Sequence, residues 1–364
     1  MSYQKVNSRL LIRPRAIPKE SFQSYLIRLA RENGYKYKAF SSGITANSKP
    51  HRSFKPEDRT DIQFLISNIA DNNARNLVDV WECGFYFKHL FDYSRIKICP
   101  KCYTNEKVLP PYWWLKNYLI CDEHQLLLID SCGNCNTRFN EDSIAYGHCM
   151  ECGLEIEHNK SAELNSGMFD KKLHSVCAAE EMNTSRFREL ISNEVEQIYV
   201  HYQICSYLLK EVLNRDKYIN HRRTLDIYSL YTEQKEIQSI VKNDALGQLM
   251  YEALCSYRAR GGKGVSSLIN PIFKLIMSHQ GHLYRATLVK LLIEEPKDLA
   301  DWAIGLNWLE KLLSIDANNL RNFVKEYSPN LEEKSQGPFA VLIRDLNLVM
   351  SEYSKHSATF ELPR

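Results

Sequence analysis

The sequence predicts a mainly α-helical protein whose middle is interrupted by a small, cysteine-rich region of loops and short strands. Two observations carry that prediction. Apolar residues recur at three- and four-residue steps between residues 16 and 95, and again from about 168 onward. Between them, residues 96–158 hold β-prone runs such as PPYWWLKNYLIC and HQLLLIDSC, with cysteines in close pairs and no long apolar face. A third observation narrows the class: no long segment repeats at a fixed period, which disfavours a solenoid. The expected domains are therefore 1–95, 96–158 and 159–364, with polar linkers near 157–167 and 214–224.

In the first region, Pro18 suits a first helical position, and Phe22, Tyr25, Leu26 and Leu29 form an apolar stripe. Asn33-Gly34 is a natural stop. The short segment YKYKAF follows, then a polar stretch from Ser41 to Thr60 containing Pro50 and Pro56. A longer amphipathic segment runs from Asp61 to Trp81, with Ile62, Leu65, Ile66, Ile69, Leu77 and Val80 apolar. Short helices, tight turns and basic charge permit a helix-turn-helix-like bundle. In the last region the spacing predicts a helix over 185–213, then segments near 246–257, 265–278, 284–294, 298–313, 317–327 and 338–353.

With 364 residues, 44% hydrophobic and 25% charged, the chain is long enough for two or three cores. No apolar run approaches the roughly 18 residues of a membrane span. The N-terminus, MSYQKVNSRLLIRPR, shows no secretion signal, so no membrane partner and a cytoplasmic location are expected. The net charge of +3 conceals an asymmetry: residues 1–60 hold 13 Lys/Arg against 4 Asp/Glu, and the rest hold 34 against 40. Such a front end is either an anion-binding surface or a solvated helical face. Its candidate phosphate contacts are Arg13, Arg15, Lys36 and Lys38. A second candidate is the loop Arg258-Ala-Arg-Gly-Gly-Lys-Gly264, through Arg258, Arg260 and Lys263; a solvated basic turn after a helix is the plainer reading.

Eleven cysteines is an odd count, and without a secretion signal it argues against a disulfide framework. Seven of them, with one histidine, form four close pairs: Cys99/Cys102, Cys121/His124, Cys132/Cys135 and Cys149/Cys152. Two ligands separated by two residues bend into a knuckle that reaches one metal, and two knuckles complete a tetrahedron. Closed Cys/His shells leave no position for water, so two structural Zn2+ ions are expected. Such binding is typically worth about 10–16 kcal/mol and becomes folding energy where no core preexists. Sequential pairing gives one three-cysteine, one-histidine site and one four-cysteine site. A RING-type cross-brace gives the same ligand inventory, but the seven residues between His124 and Cys132 favour sequential pairing. His148 is a lesser alternative to Cys149. Cys83, Cys177, Cys205 and Cys255 read as ordinary buried thiols.

The motifs of a zincin protease, a zinc deaminase and a P-loop are all missing, and no acidic cluster suits magnesium. Nothing in the sequence asks for catalysis, so the protein is expected not to be an enzyme. Tyr112, Trp113 and Trp114 suit either base stacking or, more simply, the substitute core of a small zinc module.

The segment from Tyr112 through Cys121-Asp-Glu-His124 to Cys132-Gly-Asn-Cys135, preceded by a Cys-Pro-x-Cys, resembles the core of the TniQ family. The opening from Arg13-Pro-Arg, through a helix, to Asn33-Gly-Tyr35 resembles the start of TniQ proteins. The resemblance covers about the first 155 residues. It implies a bacterial, non-catalytic target-selection adaptor that joins a recognition system to a transposon's AAA+ regulator. Length and opening are most similar to members found in CRISPR-associated transposons. For those, the resemblance implies docking on a Cascade ribonucleoprotein, at its crRNA-processing endoribonuclease and adjacent backbone subunit, as a head-to-tail homodimer close to target DNA. The alternatives are a TnsD-like protein that recognises a DNA attachment site itself and, from another class, a RING-like ubiquitin ligase.

Overall fold

A computed structural model of the chain describes residues 12–17, 19–44, 87, 89–164, 184–213, 226–242, 245–262, 264–293, 299, 303–313, 340–342 and 346. The chain divides into two compact units, Met1–Glu196 with Asp226–Tyr231, and Gln197–Leu225 with Thr232–Arg364. The stretches 1–95 and 96–158 both lie in the first. The described structure is mainly helical, with two small two-stranded sheets.

The first unit opens with α1 (Phe22–Glu32) and α2 (Tyr37–Ile44). The cap of α1 is Ser21, whose hydroxyl accepts from Ser24 N at 3.1 Å, so the helix starts beyond Pro18. Asn33 ends it, as its sequence suggests. Helix α1 is buried on nearly every side: Tyr25, Leu26 and Leu29 are all 0% exposed. That burial is explained by what lies around it. Ser21 N donates to Leu109 O at 2.8 Å, Leu109 N to Ser24 Oγ at 3.0 Å, and Trp114 Nε1 to Ser21 Oγ at 3.2 Å. Helix α1 is thus a core element of the cysteine-rich region, not the exposed recognition helix of a helix-turn-helix. The expected 61–81 helix lies outside the described residues.

The cysteine-rich region itself contains α3 (Pro100–Glu106), the hairpin β1 (Ile120–Cys121) and β2 (Leu126–Leu127), and α4 (Glu141–Tyr146). The β-prone run ending at Cys121 is mostly not strand: Pro111–Trp114 is a 3₁₀ turn. Pro110-Pro111 removes two amide donors and fixes φ, which excludes a ladder there. Tyr112, Trp113 and Trp114 are all buried, which favours the packing role over stacking on a partner. Helix α4 has its own local code, a capping box between Asn140 and Ser143.

Further along, α5 (Thr184–Leu190) runs through a π-helical stretch, Ile191–Val195, into α6 (Glu196–Leu213). The second unit contains most of α6 and of α7 (Ile227–Lys242). It continues with α8 (Leu246–Ala259), α9 (Val265–Ile269), α10 (Phe273–Ile276), α11 (His282–Ile293) and α12 (Leu306–Leu313). Its apolar core includes Ile204, Ala253, Leu254, Leu268, Ile276, Leu288 and Leu309. Helix α7 is missing from the sequence reading because its stripe is interrupted by buried Glu233 and Gln234. Glu233 accepts from the hydroxyls of Tyr202 and Ser206, which satisfies the carboxylate inside the core. Two other departures are strands: β3 (Ala303–Gly305) lies where a helix is expected from 298, and pairs antiparallel with β4 (Ala340–Leu342). That pairing joins residues nearly forty apart, and a local window of periodicity is blind to it.

Candidate metal centres

Four knuckles supply the donors, all closed by a bond from the amide four residues on, and three of them also share a left-handed residue. In each, the amide four residues after a cysteine donates to that cysteine's carbonyl: Gln125 N to Cys121 O (2.8 Å), Asn136 N to Cys132 O (2.8 Å) and Gly153 N to Cys149 O (2.9 Å). The donating residue is left-handed in all three, with φ of 53° at Gln125, 58° at Asn136 and 74° at Gly153. This geometry turns the chain through a tight loop and brings the first cysteine and the donor three residues on into one set. Asn and Gly tolerate that backbone, whereas Gln bears a steric cost. The fourth knuckle uses a helix start instead. Cys99 is the cap of α3, Pro100 occupies its first position, and Tyr103 N donates to Cys99 O at 3.0 Å.

These knuckles bring Cys99, Cys102, Cys121 and His124 together as one set, and Cys132, Cys135, Cys149 and Cys152 as another. Within each set the donor atoms all lie within 4.8 Å of one another. Pairing is therefore sequential, and the cross-brace is not the arrangement adopted. His148 is not in either set; its Nδ1 lies 3.2 Å from Tyr146 O.

The spacings test the fit to a metal. A tetrahedral zinc with Zn–S near 2.3 Å places its sulfurs roughly 3.8 Å apart. Cys102 and Cys121 Sγ are 3.5 Å apart, as are Cys132 and Cys152, and Cys135 and Cys149. His124 Nδ1 is 3.1 Å from Cys102 Sγ and 3.7 Å from both Cys99 and Cys121 Sγ. These separations are compatible with four donors around one ion in each set, and the cysteines are free thiols with no disulfide among them. Electrostatics point the same way. Hydrogen bonds from the Cys102 and Cys121 thiols hold the Cys99 pKa below its ordinary range, while Cys121 and Cys99 push that of Cys102 upward. Three sulfurs this close cannot all ionise unless a cation lies among them. Both sets could hold a metal ion, and their composition is consistent with zinc.

The surroundings of the first set are unusually polar for a core. Lys97 is buried, and its Nζ donates to Leu115 O and to Tyr118 O (2.7 Å). Burial pulls its pKa down to about 7. Arg95 Nε pairs with Asp130 at 2.9 Å, also largely shielded. These contacts tie the chain before Cys99 to the turn before Cys121 and to the segment between β2 and Cys132. They carry no signature in the sequence, because an isolated Lys or Arg reads as a surface residue.

Glu155, Glu157 and His158 also approach one another, but all three are exposed, and His158 lies 3.6 Å from Glu155 and 3.8 Å from Glu157. Such contacts are ordinary surface ion pairs.

The candidate phosphate contacts fall at separate places. Arg13, Arg15, Lys36 and Lys38 are exposed in the first unit. Arg258 and Arg260 belong to the end of α8 in the second, and Lys263 lies outside the described residues. Arg260 is paired with Glu211. A Cβ on Gly262 would come within 2.3 Å of the Tyr257 ring, so that glycine serves close packing rather than a phosphate cradle. Of the scattered cysteines, Cys205 is buried and Cys255 half-buried, while Cys83 and Cys177 lie outside the described residues.

Comparison with known families places the match over this same architecture. Residues 11–128 match the TniQ family, from the lead-in to α1 through the complete first donor set. That segment is a TniQ domain. No curated protein matches the chain. A TniQ domain marks a transposition-associated target-selection protein. The second donor set and the whole second unit lie beyond the matched residues. No described helix is long and apolar enough to cross a membrane.

Proposed function

We propose that this protein is a non-catalytic adaptor for transposon target selection, linking an RNA-guided Cascade ribonucleoprotein to the AAA+ transposition regulator. The observation that carries the reading is the TniQ domain built around a closed Cys3His donor set. Two zinc ions per chain would be held by Cys99, Cys102, Cys121 and His124, and by Cys132, Cys135, Cys149 and Cys152. Bound zinc supplies cross-linking and charge neutralisation in such sites, with no vacant position for a reacting molecule. The chain's own residues then present rigid faces. The aromatic residues 112–114 pack inward, and α1 locks onto them. Metal analysis should give two zincs per chain. The protein should co-purify with its Cascade when guide RNA is present and run as a homodimer in light scattering. A monomer that ignores the loaded complex contradicts the proposal.

Exposed Arg13, Arg15, Lys36 and Lys38 support a second reading, direct recognition of a DNA attachment site in the TnsD manner. Footprinting on target DNA without guide RNA distinguishes it. A protected, salt-sensitive site supports this reading, and uniform weak binding opposes it. The sequential donor sets remove the basis for a RING-like ligase.

A further inference from the structure

The lead-in to α1 is held in place more firmly than a terminal segment needs. Ile12 N donates to Asn33 Oδ1 at 3.0 Å, and Asn33 Nδ2 returns a bond to Ile12 O at 2.8 Å. One turn back along α1, an Arg28 amino group donates to Arg15 O at 2.6 Å. Arg28 is itself fixed by the fully buried Glu20, through bonds of 3.0 and 2.7 Å, and Glu20 accepts from Ile17 N at 3.1 Å. Residues 12–17 therefore run antiparallel beside α1, tethered at three points.

The tethering assembles a particular surface at the C-terminal end of α1. Ile12, bonded to Asn33, is 47% exposed, and Tyr35, two residues past Asn33, is 39% exposed. Helix α4 meets the same end: Arg31 donates to Ala145 O at 3.3 Å, and Tyr37 N to Asp142 Oδ1 at 3.1 Å. The residue after Ala145 is Tyr146, a second exposed ring at 47%. Arg13, next to the Asn33-bonded Ile12, and Lys36, next to Tyr35, are exposed at this end of α1. Arg13 and Lys36 form no ion pair among the described residues. Of the nearby acids, Glu32 pairs with Arg31, Asp142 accepts from Tyr37 N, Glu141 faces Tyr37 with its carboxyl pushed up by burial, and Glu151 follows Met150 in sequence.

Two exposed tyrosines, one of them in the 1–60 stretch with its nine-charge surplus of Lys/Arg, fit one kind of partner. We infer that the end of α1, with Tyr35 and Tyr146 flanked by Arg13 and Lys36, binds single-stranded nucleic acid by stacking bases on the rings and pairing phosphates with the cations. Exposed ring faces serve unstacked bases, which a duplex does not offer. An acidic peptide would use the cations but gain little from flat rings. The inference stands whether or not a guide complex is the adaptor's partner, because it concerns a two-component interaction.

The test is fluorescence anisotropy with full-length protein and a labelled dT20 strand, the matching duplex, and poly-glutamate as competitor. Expected are preference for the single strand and a loss of about tenfold for Tyr35→Ala with Tyr146→Ala. Tyr35→Phe with Tyr146→Phe should restore binding, since phenylalanine stacks too. Arg13→Ala with Lys36→Ala should instead flatten the salt dependence by roughly 1.4 in log–log slope, about 0.7 per phosphate. Zinc content and circular dichroism equal to wild type establish folding of each variant. Equal affinity for duplex, full displacement by poly-glutamate at equal charge, or an unchanged affinity in a folded double-alanine variant would overturn the inference.

Discussion

The two donor sets and the helical second unit reach order by opposite routes. Around the donor sets the regular elements are minimal: the β1–β2 hairpin has two residues per strand, and α3 and α4 have seven and six. Order there rests on knuckles, buried polar ties such as Lys97 and Arg95–Asp130, and the donors themselves. In the second unit, helices of twelve to sixteen residues such as α7, α8 and α11 bury a continuous apolar core. The lesson is that a region poor in long apolar faces needs a point of cross-linking, whereas one rich in them needs only packing.

The strongest way to break this contrast is to remove metal. Cys121→Ser, or a high-affinity chelator, should release zinc and unfold the region around the donor sets, since each site is worth on the order of 10 kcal/mol. Far-UV circular dichroism and metal titration should show helicity of the second unit surviving. Simultaneous loss of all helicity would mean that the two regions share one source of stability.

A smaller effect tests the other side. Leu254→Ala, at a position 1% exposed, should cost about 2–5 kcal/mol in denaturant unfolding while leaving zinc stoichiometry at its wild-type value. Zinc loss in that variant would blur the distinction.

Proton linkage sharpens it further. Burial, and secondarily the charge of His282, holds the His201 pKa below its ordinary 6.5, and His201 Nδ1 lies 2.6 Å from Tyr284 OH. The unfolded chain therefore takes up a proton that the folded chain refuses. The resulting stability is complete above pH 6.5 and is lost as pH falls below it. His201→Gln should reduce that slope in urea-unfolding experiments across pH 5–7 (by about one proton at most). An unchanged slope would show that His201 does not contribute.

The smallest expected effect lies in a knuckle. Gln125, left-handed at φ 53°, is strained where Gly153 is not. Gln125→Gly should leave metal binding intact and change stability by roughly 1 kcal/mol or less, favourably if relief of strain exceeds the added chain entropy and the loss of the Gln125 bond to Asp122 O. A large loss would show that this side-chain bond, at 2.7 Å, dominates the turn.

Much of the candidate site was legible from spacing alone. Two residues between donors are enough to specify a knuckle, because the device is local: a turn of five residues closes on its own first carbonyl. The sequence also showed α1 with its Asn33 stop and the long helix entering α6, since periodicity and capping are likewise local. It did not show where α1 would pack. The apolar stripe marks one face only, yet Ser21, Ser24 and Trp114 bond across some ninety residues and nearly the whole helix is buried. Nor could it reveal Lys97 among backbone carbonyls, Glu233 among hydroxyls, or the β3–β4 pair. In each case the deciding partner is remote in sequence. Local chemistry by itself determined which residues can hold metal. Only the tertiary structure decided that the donors gather as two sequential sets, that the aromatic run is core, and that the basic lead-in is tethered along α1, because burial and long-range hydrogen bonds exist only once the chain is closed.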